Sequence, residues 1–401
     1  MKTPRKVVVV TPYYPPDRST TANIVSAIAC HLAAENRVLV LSGTSGYIAS
    51  VCRGAGQPLV IMVKSSFAPK AALIRRTASE TLFTLRMFCS LIRRLRPGDV
   101  VLTITSPFLL PHAVAAASRL KRARSALILH DLYPDVLIMA GFLQPKSIVV
   151  SLLRRLNALM FSALDSVIII GRDVERALLT YRPMSREKIQ YIPNWATLSR
   201  SVRPLNRNSR YRQVVTGRFV VGLSGNLGFT HDPEVVFDAA RLLREERDIH
   251  FLLSGWGIGF ERLKLLQSEE KLSNVTLVER VEDRDLEEFL SVANLWIIPY
   301  RKGVAGVSVP SRFYNLLAVG RPVIVVSEPE AEAALTVLEN NIGWVVPPGK
   351  SDELANAILL ASQLIDSSMA ERAVSVAEKF DISFALSRYS ELVQELSMGQ
   401  K

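Results

Sequence analysis

Cysteine is scarce in this chain. Cys30, Cys52 and Cys89 are the only three, and no two are closely spaced. They make no zinc-ligand pattern and no disulfide framework, so a reducing compartment is the expected setting. Long hydrophobic runs are lacking too. The longest uncharged stretch, residues 100–118, is broken by Pro107, Pro111 and His112 and reads as strand, turn and helix rather than a membrane span. The opening "MKTPRKVVVVTPYYP" has an apolar run of only four valines, too short for the core of a signal peptide. No GxxxxGK motif followed by Ser or Thr occurs, which argues against a P-loop enzyme. The loop "TPYYPPDRST" after the first strand-like run has no glycine, which argues against a dinucleotide site there.

What is present is globular: 49% of residues are hydrophobic and 21% charged. The 401 residues exceed one ordinary core and fit two domains. Charge is uneven. Residues 1–196 carry 26 Lys and Arg against 10 Asp and Glu, and the remainder 23 against 27. A basic first half suggests an anionic partner. Nucleic acid is not expected, because no aromatic-interleaved basic motif appears. An anionic membrane surface is. Residues 70–99 place Leu82, Leu85, Phe88, Leu91, Ile92 and Leu95 at helical spacing among Arg75, Arg76, Arg86, Arg93, Arg94 and Arg96. Such a helix fits either a membrane surface or a core with a solvated face. "SRLKRARSA" ends another helix with four cations, which also suits a helix C-terminus.

Apolar strand-like runs alternate with helical segments throughout. "KVVVVT", "RVLVLSG", "DVVLTITSP", "SALILHD", "SVIIIG" and "IQYIPN" are followed, after a gap, by "FVVGLSGNLG", "HFLLSGWG", "NVTLVER", "LWIIPY", "RPVIVVS" and "GWVVPPG". Continuous Val/Ile/Leu strands between helices mean parallel sheets covered on both faces. The expected fold is α/β, with two doubly wound, Rossmann-like domains facing across a cleft. Residues 1–196 form the first, 197–218 an arginine-rich linker, and 219–382 the second. A final helix, about 383–401, returns to the first. Ligands belong at strand carboxyl ends. There the second half collects glycines: Gly222, Gly225 and Gly228 in "GLSGNLGFTHD", then Gly255, Gly257 and Gly259 in "SGWGIGF". With "GVAGVSVPSRFYNLLAVGRPVIVV" they suggest a nucleotide diphosphate site. In that stretch Ser308 is the expected helix cap, Pro310 lies in the first turn, Ser311 and Arg312 follow, and Gly320 ends the helix.

Nearly the whole chain resembles glycosyltransferase family 4, the retaining nucleotide-sugar enzymes of the GT-B fold. The resemblance rests on "VVVVTPYYPP", "LILHDLYPDVLIMAGFL", "YIPNWA", "GLSGNLGFTHDPEVVFDAARLL" and "GVSVPSRFYNLLAVGRPVIVV". "HDLYPD", "SGNLG" and "VPSRFYNLLAVGRPVI" are similar to the bacterial L-fucosamine-transferase-like and colanic-acid glycosyltransferases. The resemblance implies transfer of a hexosyl or N-acetylhexosaminyl group from a nucleotide sugar, most simply a UDP-sugar. The acceptor would be a glycan or a polyprenyl-diphosphate-linked sugar at the cytoplasmic membrane face. No resident cofactor or metal is implied; the nucleotide sugar is a co-substrate. A GT-B sugar-nucleotide epimerase and a catalytically weakened, scaffold-like homologue are the rival readings.

The resemblance also distributes roles. Gly225, Asn226, His231, Gly255, Gly257, Lys302, Ser308, Ser311, Arg312 and Asn315 fall to the donor. His130 and Asp131 fall to catalysis, with His130 orienting a sugar hydroxyl. Tyr13, Ser19, Thr20 and Asp135 fall to the acceptor side, although a helix cap is the simpler role for one of Ser19, Thr20 and Thr21. Two departures stand out. Val307 and Asn315 occupy positions where family members carry glutamates. Asn226 and His231 occupy the positions of the usual Arg and Lys, leaving Arg312, Lys302 and His231 to balance the diphosphate.

Overall fold

The computed structural model describes residues 6–17, 19–43, 56–65 and 73–399. Two compact units emerge: residues 1–134, 146–193 and 383–401 form one, and residues 135–145 and 194–382 the other. The first unit contains strands β1 (Lys6–Thr11), β2 (Arg37–Ser42), β3 (Leu59–Met62), β4 (Val100–Ile104), β5 (Arg124–Leu129), β6 (Ser166–Ile169) and β7 (Ile189–Tyr191). They form one parallel sheet in the order β3-β2-β1-β4-β5-β6-β7. Its helices are α1 (Thr20–Ala33), α2 (Leu73–Arg94), α3 (Leu110–Lys121), α5 (Ile148–Ala163), α6 (Val174–Leu178) and α15 (Ile382–Met398). The short α4 (Asp135–Met139) groups with the second unit.

The second unit contains β8 (Phe219–Asn226), β9 (Ile249–Trp256), β10 (Val275–Val278), β11 (Leu295–Pro299), β12 (Val323–Val326) and β13 (Gly343–Val346). This sheet is also parallel, in the order β10-β9-β8-β11-β12-β13. Its helices are α7 (Arg210–Gln213), α8 (Pro233–Leu242), α9 (Ile258–Glu270), α10 (Leu286–Leu290), α11 (Ser311–Ala318), α12 (Glu332–Asn340), α13 (Ser351–Leu364) and α14 (Ser367–Ala377). The two units are the Rossmann-like domains of the GT-B fold.

Burial on both sheet faces is what produces the unbroken Val/Ile/Leu runs. Val7, Val8, Val9 and Val10 of β1 are all buried. Val8, Val10 and Val101 meet Phe83, Met87 and Leu91 of α2 and Val114 of α3. On the same side, Leu127 and Val167 meet Met160 and Phe161 of α5. In the second unit Leu223, Phe251 and Ile297 pack with Phe237 of α8 and Phe260 of α9. Strand β3 was not foreseen. It is a four-residue edge strand with Leu59 and Met62 exposed, so its "LVIM" lacks the flanks of a buried run.

Two expectations are corrected here. Cys30 is disulfide-bonded, and Cys89 is free and exposed. The stretch 197–218, expected as a linker, carries α7 and groups with the second unit. Ser201 N and Arg203 N donate to Ala318 O and Val319 O, and Asn206 N to Ser291 O. Arg321, 5% exposed, completes the attachment. Its guanidinium donates to Leu290 O, Ser291 O and Pro204 O at 3.1–3.3 Å. Carbonyl dipoles thus replace the missing counter-anion.

His250 in β9 is buried between Thr276 Oγ1 at 2.8 Å and Thr216 Oγ1 at 3.0 Å. Burial, with Arg212 adding, holds its pKa down from 6.5 to about 4. A folded pKa below the unfolded one makes stability greatest above pH 6.5 and lost as the pH falls towards 4. Melting temperature is therefore expected to drop on acidification through this window. In His250→Gln the drop should be shallower, as read by scanning calorimetry at successive pH values.

Candidate functional site

The second sheet reverses its strand order between β8 and β11. Such a reversal leaves a crevice at the strand carboxyl ends. Loop 227–232 leaves β8 there and loop 300–310 leaves β11. The two are tied together. Arg301 N donates to Thr230 O, and its Nε to His231 O, both at 3.0 Å. His231 forms an isolated bridge with Tyr300, and their rings lie 5.0 Å apart. Burial, with Arg301 adding, holds the His231 imidazole down to about 4. It is neutral near pH 7, so it does not supply the cation assigned to it.

The loop after β9 meets the loop after β8 backbone to backbone. Leu227 N donates to Trp256 O at 2.8 Å, and Gly259 N to Leu227 O at 2.9 Å. A Cβ on Gly255 would come 2.5 Å from Gly225 O. One on Gly257, which has φ +95°, would come 2.9 Å from Asn226 Oδ1. Gly255 and Gly257 therefore serve loop-to-loop contact. Gly225 differs: its φ is +143° and the space beside it is open.

Helix α11 begins at Ser311 with Pro310 as its N-cap residue and no side-chain cap. Ser308, the expected cap, lies two residues too early: proline already presets the backbone entering the first turn. At the other end Gly320, φ +69°, closes the helix as expected. Gly320 N donates to Leu317 O and Arg321 N to Leu316 O, the paired bonds of a Schellman motif.

Arg312 sits in the first turn. Its Nε is buried and has no hydrogen-bond partner. Burial brings its pKa down to about 10, with Asp283 opposing and Arg280 adding, so the guanidinium stays charged. The Arg280 guanidinium lies 4.6 Å from the ring centre of Trp256. Arg280, Trp256 and Asp283 were not singled out in the sequence, where "VERVED" reads only as a strand end. A cation just past a strand was the available signal. Lys302 is exposed beside Gly303, whose N donates to Glu328 Oε1 at 2.5 Å. Glu328 Oε2 is buried without a partner. Ser311 is exposed at the helix start. Among the described residues no group of three or more His, Cys, Asp or Glu is placed to hold a metal ion.

Asn315 is buried on α11 and already engaged. Its Oδ1 accepts from Thr197 N at 2.7 Å and Leu198 N at 3.3 Å, and its Nδ2 donates to Thr197 Oγ1 at 3.0 Å. It anchors the entry of segment 197–218, and that engagement competes with a ribose-binding role. Val307 is buried at 7% exposure.

In the first unit the reversal lies between β1 and β4. Asp131 N, after β5, donates to Thr105 Oγ1, after β4, at 3.4 Å. His130 Nε2 is buried without a hydrogen-bond partner, and burial holds its imidazole down to about 4. Burial pushes the Tyr13 hydroxyl up, with Arg76 opposing and Glu80 and Asp17 adding. Tyr133 is raised by burial, then by Asp131, Glu80 and Tyr13. Tyr13, Arg76, Glu80, Asp131 and Tyr133 thus form one electrostatic cluster, in which Arg76 pairs with Glu80 at 2.8 Å. Arg76, Glu80 and Tyr133 had not been singled out for the site. Ser19 does not join them: its hydroxyl caps α1 by accepting from Ala22 N at 3.2 Å. Thr20 is the exposed first residue of that helix. Asp135 opens α4, which groups with the second unit.

Residues 218–363 match the family model described as Glycosyl transferases group 1. The second unit belongs to that family. The chain is similar to the probable glycosyltransferase WbjE of Pseudomonas aeruginosa, 28% identical over 72% of each chain. It is also similar to the putative colanic acid biosynthesis glycosyl transferase WcaI of Escherichia coli, 25% identical over 60% of each. HepE of Anabaena, solved with UDP and glucose, has a TM-score of 0.71 at 17% identity, over 97% of this chain and 99% of that one. The sites described above lie at the strand carboxyl ends of two domains of the GT-B fold.

Asn315→Ala removes the acceptor for two backbone N–H groups. It should cost about 1–3 kcal/mol of stability and leave UDP affinity of the folded protein nearly unchanged. Calorimetry and nucleotide titration separate this anchoring role from one in ribose binding, which would weaken UDP instead.

Proposed function

We propose that the chain is a retaining glycosyltransferase of bacterial surface polysaccharide assembly. It moves a hexosyl or N-acetylhexosaminyl group from a UDP-sugar to a glycan or polyprenyl-diphosphate-linked acceptor. It works on the cytoplasmic face of the membrane, held to anionic lipid by its basic first domain. The observation that carries this reading is Arg312: a charged guanidinium with an unpartnered buried Nε, in the first turn of α11. A half-buried cation whose Nε is buried without a partner favours an anion, and the helix start without a side-chain cap adds N–H groups. Support comes from HepE, solved with UDP and glucose, and from WcaI, named for colanic acid biosynthesis.

The residues divide the work as follows. As the bond from the anomeric carbon to the diphosphate oxygen breaks, negative charge grows on the diphosphate. Arg312 and the first-turn N–H groups stabilise that charge, with Arg280 and Lys302 adding field. The acceptor hydroxyl attacks from the same face, and its proton passes to the leaving diphosphate. No metal is required in this scheme, because the cations are the protein's own. His130, neutral at working pH, orients a sugar hydroxyl by hydrogen bonding rather than by charge.

Arg312→Ala should lower transfer by about 10²- to 10³-fold and weaken UDP binding, with melting temperature little changed. Arg312→Lys should restore part of the loss. Unchanged turnover and affinity in Arg312→Ala would refute the assignment. His130→Ala should lower kcat while UDP affinity holds. The wild-type kcat/KM profile should lack a limb from this group between about pH 5.5 and 8.

A further inference from the structure

The outer face of one helical layer is unusually apolar. Helices α2, α3 and α5 cover the same side of the first sheet, through Phe83 and Met87, Val114, and Met160 and Phe161. Their inner faces are explained by that core. The outer face of α5 is not. Ile148 is 88% exposed, Leu152 55% and Leu159 67%. Val149 and Leu156 are exposed beside them. Positions 148, 152, 156 and 159 follow helical spacing, so they form one stripe along the helix. Val150, Met160 and Phe161 are buried on the opposite side. An amphipathic surface helix has one apolar face; α5 has two.

Neighbouring elements continue the pattern. Leu120, at the end of α3, is 68% exposed, and Leu82 and Leu85 project from α2. Arg119, Arg122, Arg155 and Lys146 are exposed near the stripe. Neither α3 nor α5 contains an Asp or Glu. The single carboxylate of α2, Glu80, is paired with Arg76. None of the described helices is long and apolar enough to cross a membrane.

We propose that the outer face of the α2–α3–α5 layer docks on an anionic phospholipid bilayer, with the α5 stripe inserted at the headgroup–acyl boundary. Charge selects this occupant. Exposed apolar side chains bordered by exposed cations, on two helices without a carboxylate, match a surface with hydrocarbon below and phosphate above. A second copy of the chain would set arginine against arginine. The proposal rests on the membrane-side transferase reading and supplies its missing surface: α5 leads, rather than the α2 helix whose sequence fitted either a membrane surface or a core.

The test uses the full chain and vesicles of phosphatidylcholine with or without phosphatidylglycerol. The wild type should co-sediment with the anionic vesicles, weakly with neutral ones, and less as salt is raised. Leu152→Ser with Leu159→Ser should weaken binding roughly tenfold or more. Arg155→Gln with Arg122→Gln should weaken it and flatten the salt dependence. Leu242→Ser, an exposed leucine of the second unit, should change nothing. Circular dichroism and melting temperature check that each variant is folded, since all these positions are exposed.

Wild-type binding by the double serine variant, or equal binding to neutral and anionic vesicles, overturns the proposal. So does a concentration-dependent dimer that the double serine variant dissolves in a protein that ignores vesicles. Turnover of a UDP-sugar on a water-soluble acceptor is measured in parallel. If it persists without vesicle binding, the docking surface falls and the transferase reading stands; if the wild type turns over nothing, the transferase reading falls.

Discussion

The site depends on a topological constraint. In a parallel sheet, each crossover helix must return to the starting edge. Where successive crossovers leave in opposite directions, no chain covers the gap between the strand ends. In the second unit that gap opens between β8 and β11. The candidate donor residues lie at the strand carboxyl ends of this sheet, in the loops that follow them, or on α11. The glycines belong to the same constraint. Adjacent parallel strands end about 4.8 Å apart, so where their loops meet backbone to backbone there is no room for a Cβ. Gly255 and Gly257 meet that limit against Gly225 and Asn226.

Charge at the site is handled by burial more than by number. His231 and His130 are both driven towards neutrality by desolvation. The same desolvation leaves Arg312 charged, because a guanidinium starts so far above neutral pH. Of the cationic candidates at the second unit's crevice, Arg312 keeps its charge under burial, while His231 does not. In the first unit, Arg76 sits among Glu80, Tyr13 and Tyr133, a balanced cluster better suited to orienting hydroxyls than to holding a phosphate.

Much of this was legible in the sequence. The two sheets could be read because both faces are covered, so the strands are unbroken apolar runs. Gly320 could be read because a helix stop demands a particular backbone geometry. Other features depend on contacts between distant segments, and no local pattern announces those. Asn315 looked like a worn ribose-binding position, yet it holds Thr197, over a hundred positions earlier. Arg280 became interesting only once β10 ended beside Trp256. Ser308 misled because a good capping residue is no cap if proline sets the helix start after it. The α5 stripe escaped notice because "IVVSLLRRLNALM" reads as core on either side.

The attachment of segment 197–218 has a consequence for proteolysis. Its arginines make it look like an open target for trypsin. Yet its backbone is bonded to the ends of α10 and α11, with Arg321 clasping Pro204. A protease needs several residues of extended, detached chain. Cleavage here therefore waits on local opening of the second unit. The rate at which this arginine-rich strip is cut becomes a gauge of how firmly the nucleotide-side domain is folded, and a nucleotide that tightens the domain would protect a segment it never touches.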